Sequence, residues 1–419
     1  MKKYSLLILT LALAVCLAAC GEKTPSSVSA YKSQGEYPEV KDHLTWEKLD
    51  ALPIKTEGMT PDEARTLCVD FFRYSKTVVW TPDETLNYIR NKAGNADALN
   101  QGIIYGGVPY IGLGSGNIYR LMDYMDEETG VVDISNAADV LKSFGNQCSI
   151  GAWWGWARAV NSSDYKWSQT CLVSHGLLRV GPYTYDDTLE ELVVGYGTKE
   201  IMDENDQQTL FQSYAALKPG DGLVWYLGGG HVAMCSSEAT VVYNDDGTID
   251  GEKSFITLVD QGMVWKDRTN EAGDAFKHKN GIDTKKTFFK LESDGFLPFT
   301  FKEFTGEDPI EKTEVAFSHA GETITKAELF ATKVTSNYSI SDIYALVYDE
   351  KGNEVYKHAV RCIEANTEEL AFTETAAADA EFDNIERWGE LKAGTYTVKV
   401  IVQLGTGERP TVYEGTLTV

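Results

Sequence analysis

One stretch stands out in the hydrophobic pattern of this chain. In Phe144-Gly-Asn-Gln-Cys148-Ser-Ile-Gly-Ala-Trp-Trp-Gly-Trp-Ala157, the residues Ile150, Trp153, Trp154 and Ala157, with Val160 beyond, fall at helical spacing. Gly145, Asn146 and Ser149 offer turn and capping chemistry at the start of that helix. Upstream, Thr60-Pro61-Asp62-Glu63 predicts a helix start, with Ala64, Leu67, Cys68 and Phe71 as the apolar face. Thr81-Pro82-Asp83-Glu84 repeats the signal and predicts a second helix running to about Lys92. Residues 117–143 read as a mainly helical, polar insertion. From residue 217 onward the pattern turns to short strands. Leu223-Val-Trp-Tyr226, Val232-Ala-Met-Cys235 and Phe255-Ile-Thr-Leu-Val259 are apolar runs, and Asn244-Asp-Asp-Gly247 predicts a hairpin turn after Val241-Val-Tyr243. Helices followed by a strand meander predict an α+β core over residues 46–305. Past Gly306-Glu-Asp-Pro309, alternating runs such as Ile343 to Tyr348 and Thr395 to Gln403 predict an all-β, Ig-like sandwich over residues 310–419.

The N-terminus adds a destination. Lys2 and Lys3 precede the apolar run Leu6 to Leu17, then Ala18-Ala19-Cys20-Gly21. The run is too short for a stable membrane span and has the layout of a secretion signal. It closely resembles a bacterial lipoprotein signal, with Leu17-Ala18-Ala19-Cys20 as the lipobox. That resemblance implies a signal peptide over 1–19, a lipid on the Cys20 sulfur and an extracytoplasmic, membrane-anchored protein. An ordinary secretion signal is the other reading. Residues 20–45 are rich in Ser, Lys, Glu and Pro and read as a flexible tether. The formal net charge of −25 argues against nucleic acid as a partner. After processing, Cys68, Cys148, Cys171, Cys235 and Cys362 remain, an odd number, so at least one free thiol is expected. Cys171 and His175 are four apart, but no second pair accompanies them, and no cysteine cluster has zinc spacing.

A thiol at a helix start feels the positive end of the helix dipole and unpaired backbone N–H groups, which favour the reactive thiolate. Cys148 is therefore the candidate nucleophile. A base must keep it ionised and later protonate the leaving amine. His231 follows Gly228-Gly229-Gly230, which would leave its ring accessible; His175 is the runner-up. Asp260 and Gln261 close the next long strand, and either one orients the imidazole. Adjacent strand residues face opposite sides, so only one of them does. The oxyanion would meet the Cys148 N–H and a side-chain donor such as Tyr110, with Ser149 alongside. Trp153, Trp154 and Trp156 read first as packing, with Trp153 the candidate for lining a groove.

These pieces together resemble the NlpC and CHAP group of papain-like cell-wall hydrolases. Gly107-Val-Pro-Tyr110-Ile-Gly112 resembles the group's Gly-x-Pro-Tyr-x-x-Gly-Gly segment. Cys148-Ser149 resembles its Asp-Cys-Ser-Gly helix start, with Gln147 in place of the acid and Gly151 one place late. Pro219-Gly220-Asp221 and Gly230-His231-Val232 resemble its Pro-Gly-Asp-Leu-Val and Gly-His-Val strands, and Asp260 sits where CHAP members carry an acid. The match covers roughly residues 100–265. It implies a papain-like core with an antiparallel sheet, hydrolysis of a peptide or amide bond in peptidoglycan, and no cofactor. The competing expectation is a catalytically inactive surface lipoprotein that binds wall peptide or a protein partner.

Overall fold

The computed structural model describes residues 41–85, 99–110, 114–134, 144–161, 177–184, 198–226, 230–262, 266–270, 273–278, 281–362, 367–375 and 385–419. The expected signal segment, Cys20, most of the expected tether, Cys171 and His175 lie outside those residues.

The chain is mixed α+β, with several antiparallel sheets and a β-rich C-terminal region. The first helices are α1 (Trp46–Asp50) and α2 (Pro61–Thr77). Thr60 caps α2 as expected: its hydroxyl accepts from the Glu63 N–H while Glu63 reaches back to the Thr60 N–H. Within the described residues the second start signal does not open a helix. Residues Val79–Pro82 form a buried strand, β1, which pairs with β2 (Tyr105–Gly106) on one side and β3 (Val131–Val132) on the other. Burial of Val79 and Trp80 and the two ladders override a local capping signal; residues 86–92 of the expected helix lie outside the described residues. Nor is 117–134, the described part of the expected polar insertion, a polar one; 135–143 lie outside the described residues. Its helix α3 (Ile118–Met122) is buried throughout, and its side chains join Trp80, Tyr105 and Phe144 in one core.

Six strands build the central sheet: β4 (Leu178–Arg179), β5 (Gly222–Tyr226), β6 (Gly230–Cys235), β7 (Phe255–Asp260), β10 (Gly281–Thr287) and β11 (Leu297–Thr300). Their order is β10-β7-β6-β5-β11-β4, and every neighbouring pair is antiparallel. Between β7 and β10 the chain detours through β8 (Lys266–Thr269) and β9 (Ala275–His278), which extend the small β1–β3 sheet. The alternation along β5, β6 and β7 decides what each face of the central sheet buries. Val224, Val232, Met234 and Val259 pack with α2 and with α4 (Cys148–Trp156). Leu223, Ala233, Cys235 and Leu258 pack with α6 (Gln207–Ala215) and α7 (Phe288–Asp294), beside α5 (Thr198–Asp203).

The turn ahead of β5 is fixed by charge. Asp221 accepts from the Lys218 N–H and pairs with Arg65 of α2 at 2.6 Å, both side chains being buried. Thus Pro219-Gly220-Asp221 ties the sheet to the helix layer.

Beyond residue 310 the chain forms β12 (Val315–Phe317), β13 (Thr323–Thr325), β14 (Lys333–Ser336), β15 (Ile340–Tyr348), β16 (Glu354–Arg361), β17 (Glu369–Ala371), β18 (Ile385–Gly389), β19 (Thr395–Leu404) and β20 (Thr411–Thr418). They make a three-stranded sheet, β12-β14-β17, and a six-stranded sheet, β13-β20-β19-β15-β16-β18, around one apolar core. This region meets the α3 segment through buried charges. Arg120 pairs with Asp342 at 2.8 Å and donates to the carbonyls of Ser341 and Cys362. Asp123 receives Arg361 at 2.7 Å and Lys357 at 2.5 Å, and Arg361 also pairs with Asp342 and Glu386. Burial opposes ionisation of Asp123, but the two cations overcome it and hold its pKa below the ordinary value. Removing one partner of such a network strands the others without solvent. Arg120→Met is expected to destabilise the protein by about 3–5 kcal/mol in denaturant unfolding.

Candidate active site

The site forms where the start of α4 meets the open end of β6. Gln147 precedes the helix in extended conformation, and no side chain caps the helix start. The expected caps are therefore not used as caps: Asn146 donates instead to the Gly116 carbonyl. The first amides of α4 are left for the sulfur and for any anion beside it. The Cys148 sulfur takes backbone hydrogen bonds from Ser149 and Val232, and the Gly230 carbonyl lies 4.0 Å away. Cys148 is 8% exposed. Among the described residues Cys68, Cys235 and Cys362 are also free thiols; burial raises the pKa of each, and all three lie in the core.

His231 and Cys148 lie close enough for each to shift the other's pKa, so the sulfur and the imidazole expected from the sequence come together. Its Nε2 lies 2.9 Å from Asp260 Oδ2, which leaves Nδ1 for the sulfur. The choice between Asp260 and Gln261 follows from strand register. Ala233 stands opposite Asp260, so His231, two residues earlier on β6, lies on the same face as Asp260. Gln261 turns to the other face. Its side chain is fully buried, donates from Nε2 to the Val108 carbonyl at 3.1 Å, and accepts from the Lys76 ammonium. Gln261 therefore does not touch the imidazole, and that part of the expectation is corrected.

Electrostatics bind the three groups together. Burial would lower the His231 pKa, but the hydrogen bonds to Asp260 and Cys148 and their charges push it up, to about 10. Burial likewise opposes the thiolate, yet the His231 hydrogen bond and charge hold the Cys148 thiol below its ordinary value. Asp260 stays ionised against burial because of His231, the Gly281 N–H and Lys76. The two shifts describe one pair, and both favour its thiolate–imidazolium form.

Of the other expected contacts, Tyr110 is half-buried. Its backbone bridges Asn146, two residues before Cys148, and the Asn146 N–H donates to the Pro109 carbonyl. Ser149 is buried and acts through its amide. Trp153 is fully buried in the core between α4 and the sheet, so it packs and cannot stack on a substrate. Two contributors carried no legible sequence signal. Gly281 donates its N–H to Asp260 Oδ1 at 2.9 Å, and a Cβ there would come within 2.1 Å of that same oxygen. Lys76 lies behind Gln261, fully buried.

A depressed thiol pKa keeps the thiolate populated as pH falls below the ordinary 9.0, until the depressed value is reached. Iodoacetamide is accordingly expected to alkylate Cys148 below the pH at which an ordinary thiol reacts. Gly281→Ala should displace the Asp260 carboxylate and cut that alkylation rate at least about tenfold, the effect of one unit of thiol pKa. Peptide mapping of labelled Cys148 at a series of pH values measures both effects. No known family model and no curated protein matches this chain, so the chemistry of the site has to be read from its own residues.

Proposed function

We propose that the protein is a cysteine hydrolase of peptide or amide bonds. The carrying observation is the continuous contact from Cys148 through His231 to Asp260, starting at an uncapped helix N-terminus. In the proposed reaction the Cys148 thiolate attacks the carbonyl carbon. The resulting oxyanion is received by the free amide at the start of α4. Imidazolium Nδ1–H then protonates the departing amine, leaving a thioester on Cys148. Water attacks the thioester, its proton passing to the now neutral His231, and the acid product departs with the thiolate restored. Asp260 holds the ring with Nδ1 aimed at the sulfur throughout.

The order of elements supports a papain-like core of NlpC or CHAP type: a nucleophile helix first, then antiparallel strands bearing the base and the acid. The substrate class, peptidoglycan, rests on that likeness and on the Gly107–Tyr110, Pro219–Asp221 and Gly230–Val232 segments. The lipobox-like Leu17–Cys20 stretch supports work outside the cytoplasmic membrane, held by a lipid on Cys20. The two C-terminal sheets around one core are compatible with an Ig-like module.

Purified cell wall digested with the wild-type protein and with Cys148→Ala, followed by mass analysis of the soluble products, tests this reading. Release of cleaved stem peptide or cross-bridge is expected from wild type, with a loss of at least about 10⁴-fold in the variant. Equal release by both would remove Cys148 from the mechanism. Release by neither would favour a binding protein that kept the arrangement.

A further inference from the structure

Among the described residues, Lys76 is the buried cation beside the site that the proposed reaction leaves without a task. It sits in the last turn of α2, is 1% exposed, and lies 4.4 Å from the centroid of the Phe72 ring. A buried ammonium is costly unless a specific partner holds it. Here the Gln261 amide oxygen accepts from it, and the carboxylate of the neighbouring Asp260 acts on it through space. We propose that Lys76 is a positioning residue of the Cys148–His231–Asp260 site, whose cation steadies the Asp260 carboxylate and, through Gln261, fastens the Val108 strap to the strand that carries it. This proposal rests on the hydrolase reading above for its consequence in catalysis, but not for its electrostatics.

The geometry gives Lys76 two separate effects. One is mechanical. Gln261 spans from Lys76 to the Val108 carbonyl, and its Cβ stands against Gly151 of α4, so a single amide touches the strap, the strand and the nucleophile helix. The other is electrical. Asp260 acts on Lys76 through space from β7, Phe72 faces it from its own helix, and Gln261 and the Val108 backbone contribute only dipoles. The coupling is reciprocal, since Lys76 is among the groups that keep Asp260 ionised. Burial pulls the Lys76 pKa down to about 7, with Asp260 resisting. The sign follows directly: the cation is present below about pH 7 and disappears above it. Its field therefore acts only on the acidic side, where it opposes protonation of Asp260, whose charge in turn supports the imidazolium that favours the thiolate. On the alkaline side, where the imidazolium gives up its proton near pH 10, Lys76 is already neutral and without influence.

The test is the pH dependence of Cys148 alkylation in Lys76→Met, with the label at Cys148 read by peptide mapping and the fold checked by thermal unfolding. The acid limb is expected to move to higher pH, lowering the rate at mildly acidic pH about threefold or more, while the alkaline limb stays in place. In an Asp260→Asn background the same substitution should add no further shift, because the carboxylate through which it acts is gone. A folded Lys76→Met protein with an unmoved acid limb, or with both limbs moved equally, overturns the proposal, as does full additivity with Asp260→Asn. Should Lys76→Met not fold, Lys76→Gln drops the charge, keeps a polar neighbour for Gln261 and carries the same expectation. Failure of wall hydrolysis would leave these alkylation outcomes intact, so the two readings fail separately.

Discussion

The whole arrangement depends on how closely α4 lies against its neighbours. A Cβ at Gly155 would come within 2.8 Å of the Met234 Cε on β6 and 3.0 Å of the Phe72 Cβ on α2. One turn earlier, a Cβ at Gly151 would come within 3.1 Å of the Gln261 Cβ. These two positions share a helix face, and both contacts are tighter than side chains ordinarily make. Only bare backbone lets the helix settle to that depth, and only at that depth do its first amides meet the end of β6. The tryptophans then hold it there. Trp156 donates to the Gly220 carbonyl at 2.7 Å and Trp154 to the Ser115 carbonyl at 3.1 Å, so each large ring fills core space and satisfies its one polar atom. The setting of Cys148 is thus a consequence of helix packing as much as of residue type.

Much of this was legible because short-range rules apply to it. The capping box at Thr60, the helix from Cys148 and the strands around His231 and Asp260 each follow from periodicity and turn chemistry within a few residues. The pair Asp260 and Gln261 was narrowed to two by position, but the decision needed the register between β6 and β7, which is a long-range property. Lys76 was illegible for a similar reason. A basic residue in the last turn of a helix ordinarily complements the dipole in solvent, and its burial is decided by a partner 185 residues away. Thr81-Pro82 misled because capping chemistry is local while ladder pairing on both sides of β1 is not. The segment 117–134 misled because Arg120 and Asp123 read as surface charges, whereas their counter-ions come from a region more than two hundred residues further on.

Charge is used in two ways in this molecule. Across the surface the excess of acids is diffuse, with pairs such as Lys199–Asp203 and Lys333–Glu369 well exposed and contributing little each. Inside, a few charges are withdrawn from water and held by several partners at once: Arg65 with Asp221, the Arg120–Asp342–Arg361–Asp123 chain, and Asp260 between His231 and Lys76. Each of these joins segments distant in sequence. Their value is specificity of arrangement, since an apolar contact tolerates sliding and a buried ion pair does not.

The buried chain of charges between α3 and the C-terminal strands also bears on ancestry. Arg120 holds the Cys362 carbonyl and the Ser115 hydroxyl, and the Ser115 carbonyl receives Trp154 of α4. Genetic shuffling that grafted another β-module after residue 309 would leave Arg120 and Asp123 without counter-ions, one residue removed from that helix. Such exchange would succeed only if both sides of the seam were inherited as a unit, so the two halves of this chain are expected to have diverged together.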